Sequence, residues 1–238
     1  MTRPAAFFDI DRTLVVGTSL EHCFLRLAWQ EQALSLVMLG RALLAGLQAL
    51  GFLPGGKPFP FPSGLPFFTR LRYAFLSGNK SYLRGWPLER CQALAEETLR
   101  REVLPRLSPA GMERIRRHQA EGRRIVLFSG TLDFLGEPLR AYLSADRLVA
   151  ARPEVRAGVL TGRLVGPHPY GETKRTLLLS IAAEEGLDLE RSYAYADHHT
   201  DIPFLACVGH PVAVNPDRRL AREAGRRNWP VEIWPREE

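Results

Sequence analysis

The first residues whose types suggest chemistry are two aspartates, Asp9 and Asp11, which follow a short apolar segment and precede Thr13. A carboxylate at the end of a strand can attack an electrophile while a second carboxylate beside it transfers protons. Two such groups can also bind a divalent cation through their oxygens. The same spacing also occurs where two acids only cap the turn after a strand and have no catalytic role. The rest of the chain has to decide between these interpretations.

Further polar groups follow two later apolar segments. Residues 129–131, Ser-Gly-Thr, come directly after one of them, and Asp197 and Asp201 come after the other. A hydroxyl and backbone N–H groups at the N-terminus of a helix suit an anion, and Lys174, which opens another predicted helix, adds a positive charge. Three aspartates would repel one another unless a cation such as Mg²⁺ neutralised them. Together these groups indicate phosphoryl-transfer chemistry.

The elements that must position these groups can be predicted from the pattern of apolar residues and turn formers. Strands are predicted over residues 5–8, 124–128, 192–196, 211–214 and 231–234, with helices near 109–121, 132–144, 173–185 and 217–227 and a hairpin over 147–165. Strands that alternate with helices predict an α/β fold with a doubly wound parallel sheet. The carboxyl ends of parallel strands meet at one edge of a sheet, so the polar groups are expected to converge there.

The order of these groups resembles the haloacid dehalogenase-like (HAD) hydrolase superfamily over nearly the whole chain. The residues that carry the resemblance are Asp9-Ile10-Asp11-Arg12-Thr13, Phe128-Ser129-Gly130-Thr131, Lys174, and Ala196-Asp197 with Asp201. The resemblance implies a Rossmann-like HAD fold whose catalytic core comprises residues 1–16 and 106–238. It also implies an inserted all-helical C1 cap over 17–105, similar to subfamily IB, the phosphoserine-phosphatase-like branch.

By this resemblance, the reaction is a Mg²⁺-dependent hydrolysis of phosphate monoesters through an aspartyl-phosphate. Asp9 would be the nucleophile and Asp11 the general acid and base. The implied Mg²⁺ ligands are Asp9, the backbone carbonyl of Asp11, and Asp197, with Asp201 supporting the metal site. The groups implied to bind the phosphate of the substrate are Ser129, Gly130 and Lys174. Dehalogenating members of the superfamily lack the second aspartate, so Asp11 indicates phosphoryl transfer.

Three departures from the family pattern concern the rim of the site and the substrate. Arg12 stands where glycine is common, and we expect its side chain to lie along the surface. His198 stands where a small residue is common, with His199 beside it; both are expected at the rim, although contact with the metal ligands or the leaving group stays open. The segment Val16-Gly17-Thr18-Ser19 lacks the acid that recognises the amine of phosphoserine. The substrate is therefore expected to be a small or partly apolar phosphate ester other than phosphoserine.

The predicted cap contains an unusually apolar segment over residues 33–53 and a Pro-, Gly- and Phe-rich loop over 54–68. The apolar segment approaches the length of a membrane span, but Arg41 and three glycines interrupt it. We favour a buried or partner-contacting pair of helices, while an amphipathic helix on a membrane surface stays open. Two rival functions follow: a phosphotransferase or mutase with the same intermediate, or a membrane- or partner-binding protein that works through residues 33–68.

Composition narrows the class of protein. The 238 residues carry a net charge of +6, mostly from arginines near residues 113–124 and 218–227. These arginines lie in predicted helices without interleaved aromatic residues, so we interpret them as solvated helix faces and expect no nucleic-acid partner. Three widely spaced cysteines form no disulfide framework, and no signal peptide is evident, which together predict a cytoplasmic protein. The sequence leaves the oligomeric state open.

Overall fold

A computed structural model of the chain describes residues 2–31 and 80–235, together with Gly40, Leu44 and Leu47. The chain divides into two compact units. The first comprises Met1–Phe24, Ala95–Ala151 and Pro167–Glu238, and the second comprises Leu25–Leu94 and Arg152–Gly166. Both units are therefore assembled from separate stretches of the chain. The predicted boundaries of the core and the cap, at residues 16 and 106, stay predictions.

The helices and strands alternate along most of the described chain. In chain order they are β1 (Arg3–Asp9), α1 (Leu20–Gln30), a 3₁₀ turn (Ser81–Leu83), α2 (Leu88–Thr98) with a π turn (Leu99–Val103) and a 3₁₀ turn (Leu104–Arg106), α3 (Pro109–Ala120), β2 (Arg124–Leu132), α4 (Asp133–Tyr142), β3 (Arg147–Arg156), β4 (Val159–Val165), α5 (Glu172–Glu185), β5 (Leu187–Ala196), a 3₁₀ turn (His199–Asp201), α6 (Ile202–Leu205), β6 (His210–Val214), α7 (Arg218–Arg227) and β7 (Val231–Glu232).

The first unit contains a parallel sheet with the strand order β3-β2-β1-β5-β6-β7. Strand β1 lies in its middle: Phe7 pairs with Val126 of β2 on one side and with Ala194 of β5 on the other. The predicted α/β fold with a parallel sheet is confirmed. Because β1, β2 and β5 are parallel neighbours, their carboxyl ends lie at the same edge, where Asp9 is the last residue of β1.

Helices cover both faces of the sheet, which explains why β1 is continuously apolar instead of alternating. On one face, Phe7 packs edge-on against Phe128 and against Phe204 of α6, at ring distances of 6.2 and 6.5 Å. On the opposite face, Phe8 stacks on Tyr195 of β5 at 4.6 Å. Residues 5–8 are all fully buried. This double burial holds the strand that carries Asp9 in the centre of the core.

In the second unit, the end of β3 and strand β4 form the predicted hairpin. Arg156 pairs with Val159 in antiparallel register. The two residues between them, Ala157 and Gly158, have φ angles of 49° and 76°, the left-handed pair that a tight two-residue hairpin turn requires. Pro87 forms a bridge to Val159, so a segment before α2 lies along the outer side of β4.

Four strands, β1, β2, β5 and β6, are longer than the sequence predicts, and the extensions of β2 and β5 are the largest. Strand β2 runs to Leu132 instead of ending at Phe128, because Leu132 pairs with Ala151 of β3 after a shift in register. The predicted end of this strand at Phe128 is therefore wrong: Ser129 lies within β2, and helix α4 begins only at Asp133. Strand β5 begins at Leu187, five residues before the predicted start, across a register shift where Ala5 donates its N–H to the Ser192 hydroxyl at 2.8 Å.

Helix α1 ends at Gln30, so most of the apolar segment 33–53 and the whole loop 54–68 lie outside the described residues. Within the part of the chain that the structure describes, no helix has the length and apolar content needed to cross a membrane. Ser19 caps α1: its hydroxyl accepts a hydrogen bond from the backbone N–H of His22 at 3.2 Å.

A buried histidine lies beneath the face of the sheet that carries Phe8. His118 of α3 is 3% exposed; its Nε2 lies 2.8 Å from the Tyr195 hydroxyl, and its Nδ1 lies 3.2 Å from the Arg123 guanidinium. Burial, and then the charge of Arg123, lower the pKa of His118 to about 4. The imidazole is therefore neutral in the folded protein at pH 7.

Acid should destabilise the fold through His118. An unfolded histidine binds a proton below a pKa of about 6.5, whereas the folded one binds it only near pH 4, so the free energy of unfolding falls as the pH drops between these values. The shift corresponds to a loss of roughly 3 kcal/mol. Urea denaturation of wild type and His118→Gln at pH 7 and pH 4.5 measures it. The glutamine of His118→Gln binds no proton at these pH values, so the free energy of unfolding of this variant should fall less between pH 7 and pH 4.5. His22→Gln, at an exposed position, serves as the control, and equal pH dependence in all three proteins would contradict the prediction.

Candidate active site

A tight turn after β1 positions the first group of polar residues. The N–H of Ile10 continues the ladder to the carbonyl of Phe128 at 3.0 Å, and the carbonyl of Ile10 then accepts from the N–H groups of Leu14 and Val15, both at 3.0 Å. Arg12, at the tip, has a φ of 66°, a left-handed conformation that glycine adopts most easily. Its side chain is exposed, and its positive charge opposes the rise in the pKa of Asp197.

Both carboxylate oxygens of Asp9 are held in place. Oδ1 accepts from the Lys174 ammonium at 2.6 Å, and Oδ2 accepts from the Thr13 hydroxyl at 3.0 Å. Asp9 is only 7% exposed, and burial raises its pKa while Lys174 opposes that rise. The role of Thr13 was missed from the sequence, although its position four residues after Asp9, across a turn, could have indicated it.

Lys174 connects Asp9 to the last group of acids. It lies in the first turn of α5, is 2% exposed, and pairs with Asp201 at 3.1 Å as well as with Asp9. Its ammonium also lies 4.6 Å from the ring centre of Phe204. Burial alone would lower the pKa of Lys174, but Asp201 and Asp9 outweigh it and raise the pKa above its ordinary value. The lysine is therefore a permanent positive charge inside the site.

Asp11 has a different environment from Asp9. Its Oδ2 accepts from the Ser129 hydroxyl at 2.6 Å, and its Oδ1 accepts from the N–H of Leu20, the first residue of α1, at 2.8 Å. Burial, followed by the charge of Asp9, raises the pKa of Asp11 to about 6. A carboxyl group with a pKa near neutrality can both give and take a proton, which is what general acid and base catalysis requires.

Asp197 and Asp201 complete a cluster of buried acids with Asp9. They are 8% and 6% exposed, and the three residues each offer a carboxylate oxygen within 4.8 Å of the others. Burial, and then the charges of Asp9 and Asp201, raise the pKa of Asp197. Three carboxylates around one ammonium leave an excess of negative charge. An all-oxygen donor set with excess negative charge fits a hard dication such as Mg²⁺.

The structure brings Ser129 and Gly130 to the same edge of the sheet, although from within β2. The Ser129 hydroxyl donates to Asp11 and also accepts from the N–H of Thr131 at 2.9 Å. Gly130 faces the His168 imidazole, whose nearest atom lies 3.4 Å from where a Cβ would stand. His168 is a further neighbour of the site that no sequence motif indicated. Binding of phosphate by Ser129 and Gly130 stays a prediction.

The two histidines after Asp197 attach its loop to helix α7. His199 Nδ1 lies 2.6 Å from Oδ2 of Asp217, the residue that caps α7 by accepting from two N–H groups. The N–H of Asp217 in turn donates to the carbonyl of Asp197 at 2.9 Å. His198, His199 and Asp217 form a second group of possible metal ligands, which is partly exposed. Asp217 was missed from the sequence, where Asp-Arg-Arg after a proline is only a helix-cap signal.

Comparisons with known proteins agree with this arrangement. Residues 6–206 match the family described as haloacid dehalogenase-like hydrolase. The chain is 37% identical to an "Inhibition of morphological differentiation protein" of Streptomyces azureus, over 97% of this chain and 78% of that protein. It is 32% identical to a probable phosphatase of Mycobacterium tuberculosis, over 96% of this chain and 75% of that protein.

Solved structures show the same fold. A crystal structure of a protein of unknown function from Bordetella pertussis superposes with a TM-score of 0.74 at 26% identity, over 98% of this chain and 99% of that one. A substrate-bound phosphoserine phosphatase superposes with a TM-score of 0.63 at 21% identity, over 100% of this chain and 95% of that one.

Removing the buried ammonium should destabilise the protein. Lys174→Met leaves Asp9 and Asp201 without their cation and should lower the free energy of unfolding by about 3–5 kcal/mol, as measured by urea denaturation at pH 7 with a chelator present. The double variant Lys174→Met/Asp201→Asn should recover part of this loss, because one of the two unpaired carboxylates becomes neutral. A single variant as stable as wild type, or a double variant no more stable than the single one, would contradict the assignment.

Proposed function

This chain belongs to the haloacid dehalogenase-like hydrolase family as a phosphoric monoester hydrolase, and we propose that it cleaves its substrate through an aspartyl-phosphate formed on Asp9 with Mg²⁺ as cofactor. The observation that carries the proposal is the pairing of buried Asp9 with Lys174 at 2.6 Å, beside an Asp11 whose pKa is about 6. One group is oriented to attack and its neighbour is able to move protons.

The first step forms a bond between an Asp9 carboxylate oxygen and phosphorus. The bond from phosphorus to the ester oxygen breaks, and the alcohol leaves with a proton from Asp11. Thr13 and Lys174 hold the two Asp9 oxygens, so the carboxylate has a single orientation. Lys174 also offsets the negative charge that gathers when a phosphoryl group approaches the acids.

The second step is hydrolysis of the aspartyl-phosphate. Asp11, now ionised, accepts a proton from water, whose oxygen attacks phosphorus and releases phosphate together with the Asp9 carboxylate. The hydrogen bond from the N–H of Leu20 holds Asp11 beside Asp9 in both steps. The Ser129 hydroxyl, which has a single proton, donates to Asp11 before the substrate binds and would donate to the phosphoryl group afterwards. Ser129, Gly130 and Lys174 are proposed to bind the phosphoryl oxygens.

The residues proposed to hold Mg²⁺ are Asp9, Asp197 and the backbone carbonyl of Asp11. Asp201 would support the site through its ion pair with Lys174. When bound, Mg²⁺ would neutralise the acids and the phosphoryl oxygens and so stabilise the charge of the transition state. The support for this assignment is the cluster of three buried carboxylates, since the raised pKa of Asp197 reflects repulsion that a dication would relieve.

The substrate is proposed to be a small or partly apolar phosphate monoester other than phosphoserine. Relatives include proteins named phosphoserine phosphatase and histidinol-phosphatase, each about 30% identical to this chain. The segment Val16-Gly17-Thr18-Ser19 after the first motif contains no acid that could pair with the amine of phosphoserine.

Substitution of the nucleophile tests the mechanism directly. Asp9→Asn should lower turnover of p-nitrophenyl phosphate by at least about a thousandfold while leaving the fold intact, because the amide cannot form an acyl phosphate. Asp11→Asn should slow hydrolysis of the intermediate, so acid quenching should trap a hydroxylamine-labile phosphoenzyme that Asp9→Asn never forms. Glu190→Gln, at an exposed carboxylate, is the control and should be fully active.

An active Asp9→Asn variant would refute the nucleophile assignment. A hydrolase should release phosphate in water without an acceptor alcohol, whereas a phosphotransferase or mutase should release phosphate only slowly until an acceptor is added. In the same assay, kcat/KM for phosphoserine should be lower than for phenyl phosphate, and the reverse order would refute the proposed substrate class.

Mg²⁺ should stabilise the protein through the buried acids. At a concentration of 100 times the Kd, it should raise the free energy of unfolding by about 2.7 kcal/mol, observed as a higher Tm. Asp197→Asn should abolish this shift, whereas His198→Ala/His199→Ala should retain it, because these histidines belong to the other group of possible ligands. The opposite pattern would place the ion at the histidines and refute the assignment.

A further inference from the structure

The second unit contains a cavity of about 370 Å³ beside the hairpin of β3 and β4. Its lining residues are Arg84, Gly85, Glu154, Arg156, Val159, Leu160, Thr161 and Arg163. All of them belong to the second unit, and none is among the residues assigned to catalysis. We propose that this arginine pocket binds the phosphate group of a small ligand.

The pocket carries an excess of positive charge. Among the described lining residues the one carboxylate is Glu154, which accepts from the Arg156 guanidinium at 2.7 Å and from the Thr161 hydroxyl at 2.7 Å. Within residues 80–235, Arg84 and Arg163 form no ion pair with a carboxylate. The described lining therefore carries three guanidinium groups against one carboxylate, and this net charge of two positive units matches a phosphate dianion.

The hairpin places these side chains on one face. Glu154 accepts from the guanidinium of Arg156, so these two side chains lie on the same side of β3. Arg163 lines the same cavity, although Gly162, with a φ of 81°, and a shift in register interrupt the regular alternation of β4 before it. The Thr161 hydroxyl donates to Glu154, so the side chains of Thr161 on β4 and Glu154 on β3 lie on the same face of the hairpin. The left-handed turn between the strands keeps both arginines beside the same cavity.

Backbone contacts hold Arg84 next to β4. The N–H of Gly85 donates to the carbonyl of Leu160 at 2.9 Å, and the N–H of Leu160 donates to the carbonyl of Trp86 at 2.8 Å. Gly162 permits this approach, since a Cβ there would lie 2.9 Å from the Cα of Ser81 and 3.2 Å from the Cβ of Arg84. The backbone of Arg84 is therefore held beside β4 before any ligand arrives, so only its side chain has to become ordered on binding.

The lining indicates the class of ligand. Guanidinium groups bind phosphate through pairs of parallel hydrogen bonds, which a planar fork of donors allows. Val159 and Leu160 add an apolar wall for the remainder of the molecule. A cavity of 370 Å³ lies within the range of about 300–1,000 Å³ typical of sites for small molecules. A small phosphorylated metabolite with a short apolar part fits this description.

Isothermal titration calorimetry of the full chain with inorganic phosphate tests the pocket. A chelator removes metal from the catalytic acids, whose negative charge then disfavours phosphate there. Wild type should show saturable binding with a Kd of about 1 mM or tighter. Arg84→Gln/Arg163→Gln should weaken binding at least tenfold. Arg218→Gln/Arg222→Gln on α7 removes the same charge from exposed positions elsewhere and should leave the Kd unchanged.

Every other outcome overturns the proposal. Absence of saturable binding in wild type would exclude a phosphate site in the pocket. Equal weakening in the two double variants would show a general effect of charge. Unchanged affinity in Arg84→Gln/Arg163→Gln would place the bound phosphate elsewhere, including at Lys174. A repeat with phenyl phosphate should give tighter binding than inorganic phosphate if Val159 and Leu160 contact the ligand.

Discussion

A buried ammonium between two buried carboxylates is the constraint around which the first unit is arranged. Lys174, Asp9 and Asp201 are each less than a tenth exposed, and isolated charges at that depth are strongly unfavourable. Each compensates the others only while β1, α5 and the turn before α6 keep their positions. The packing of Phe7 and Phe204 on one face of the sheet supplies that rigidity. The apolar core and the charged site are therefore stabilised by the same elements.

The same arrangement separates two aspartates that look equivalent in the sequence. Burial raises the pKa of both aspartates to about 6, so the difference between them lies in their partners: Asp9 lies against Lys174, whereas Asp11 accepts from a hydroxyl and a backbone N–H. The chemical difference between Asp9 and Asp11 thus arises from hydrogen-bond partners that lie on other strands and helices. The excess of negative charge that remains at Asp197 is what makes a divalent cation the natural complement of this site.

Much of this could be predicted from local signals. The parallel sheet followed from apolar segments that alternate with helices, and the hairpin followed from a turn beside alternating residues. The predictions that were wrong depended on pairing between distant residues. Strand β2, for example, continues past Ser129 because Leu132 pairs with Ala151 of β3. Thr13 and Asp217 were missed because their importance lies in a turn geometry and in a contact to a carbonyl twenty residues away. No single-residue preference encodes such contacts.

The distance along the chain between Asp9 and Lys174 has a consequence for biosynthesis. The two residues are 165 positions apart, and β1, which emerges first from the ribosome, needs β5 as its second neighbour. At about 5–20 residues per second, Asp9 is synthesised roughly ten to thirty seconds before Lys174. During that interval one edge of the central strand has no partner from its own chain, and the nascent protein has no complete catalytic centre. The cluster of buried acids is therefore complete only after Asp201 has been synthesised.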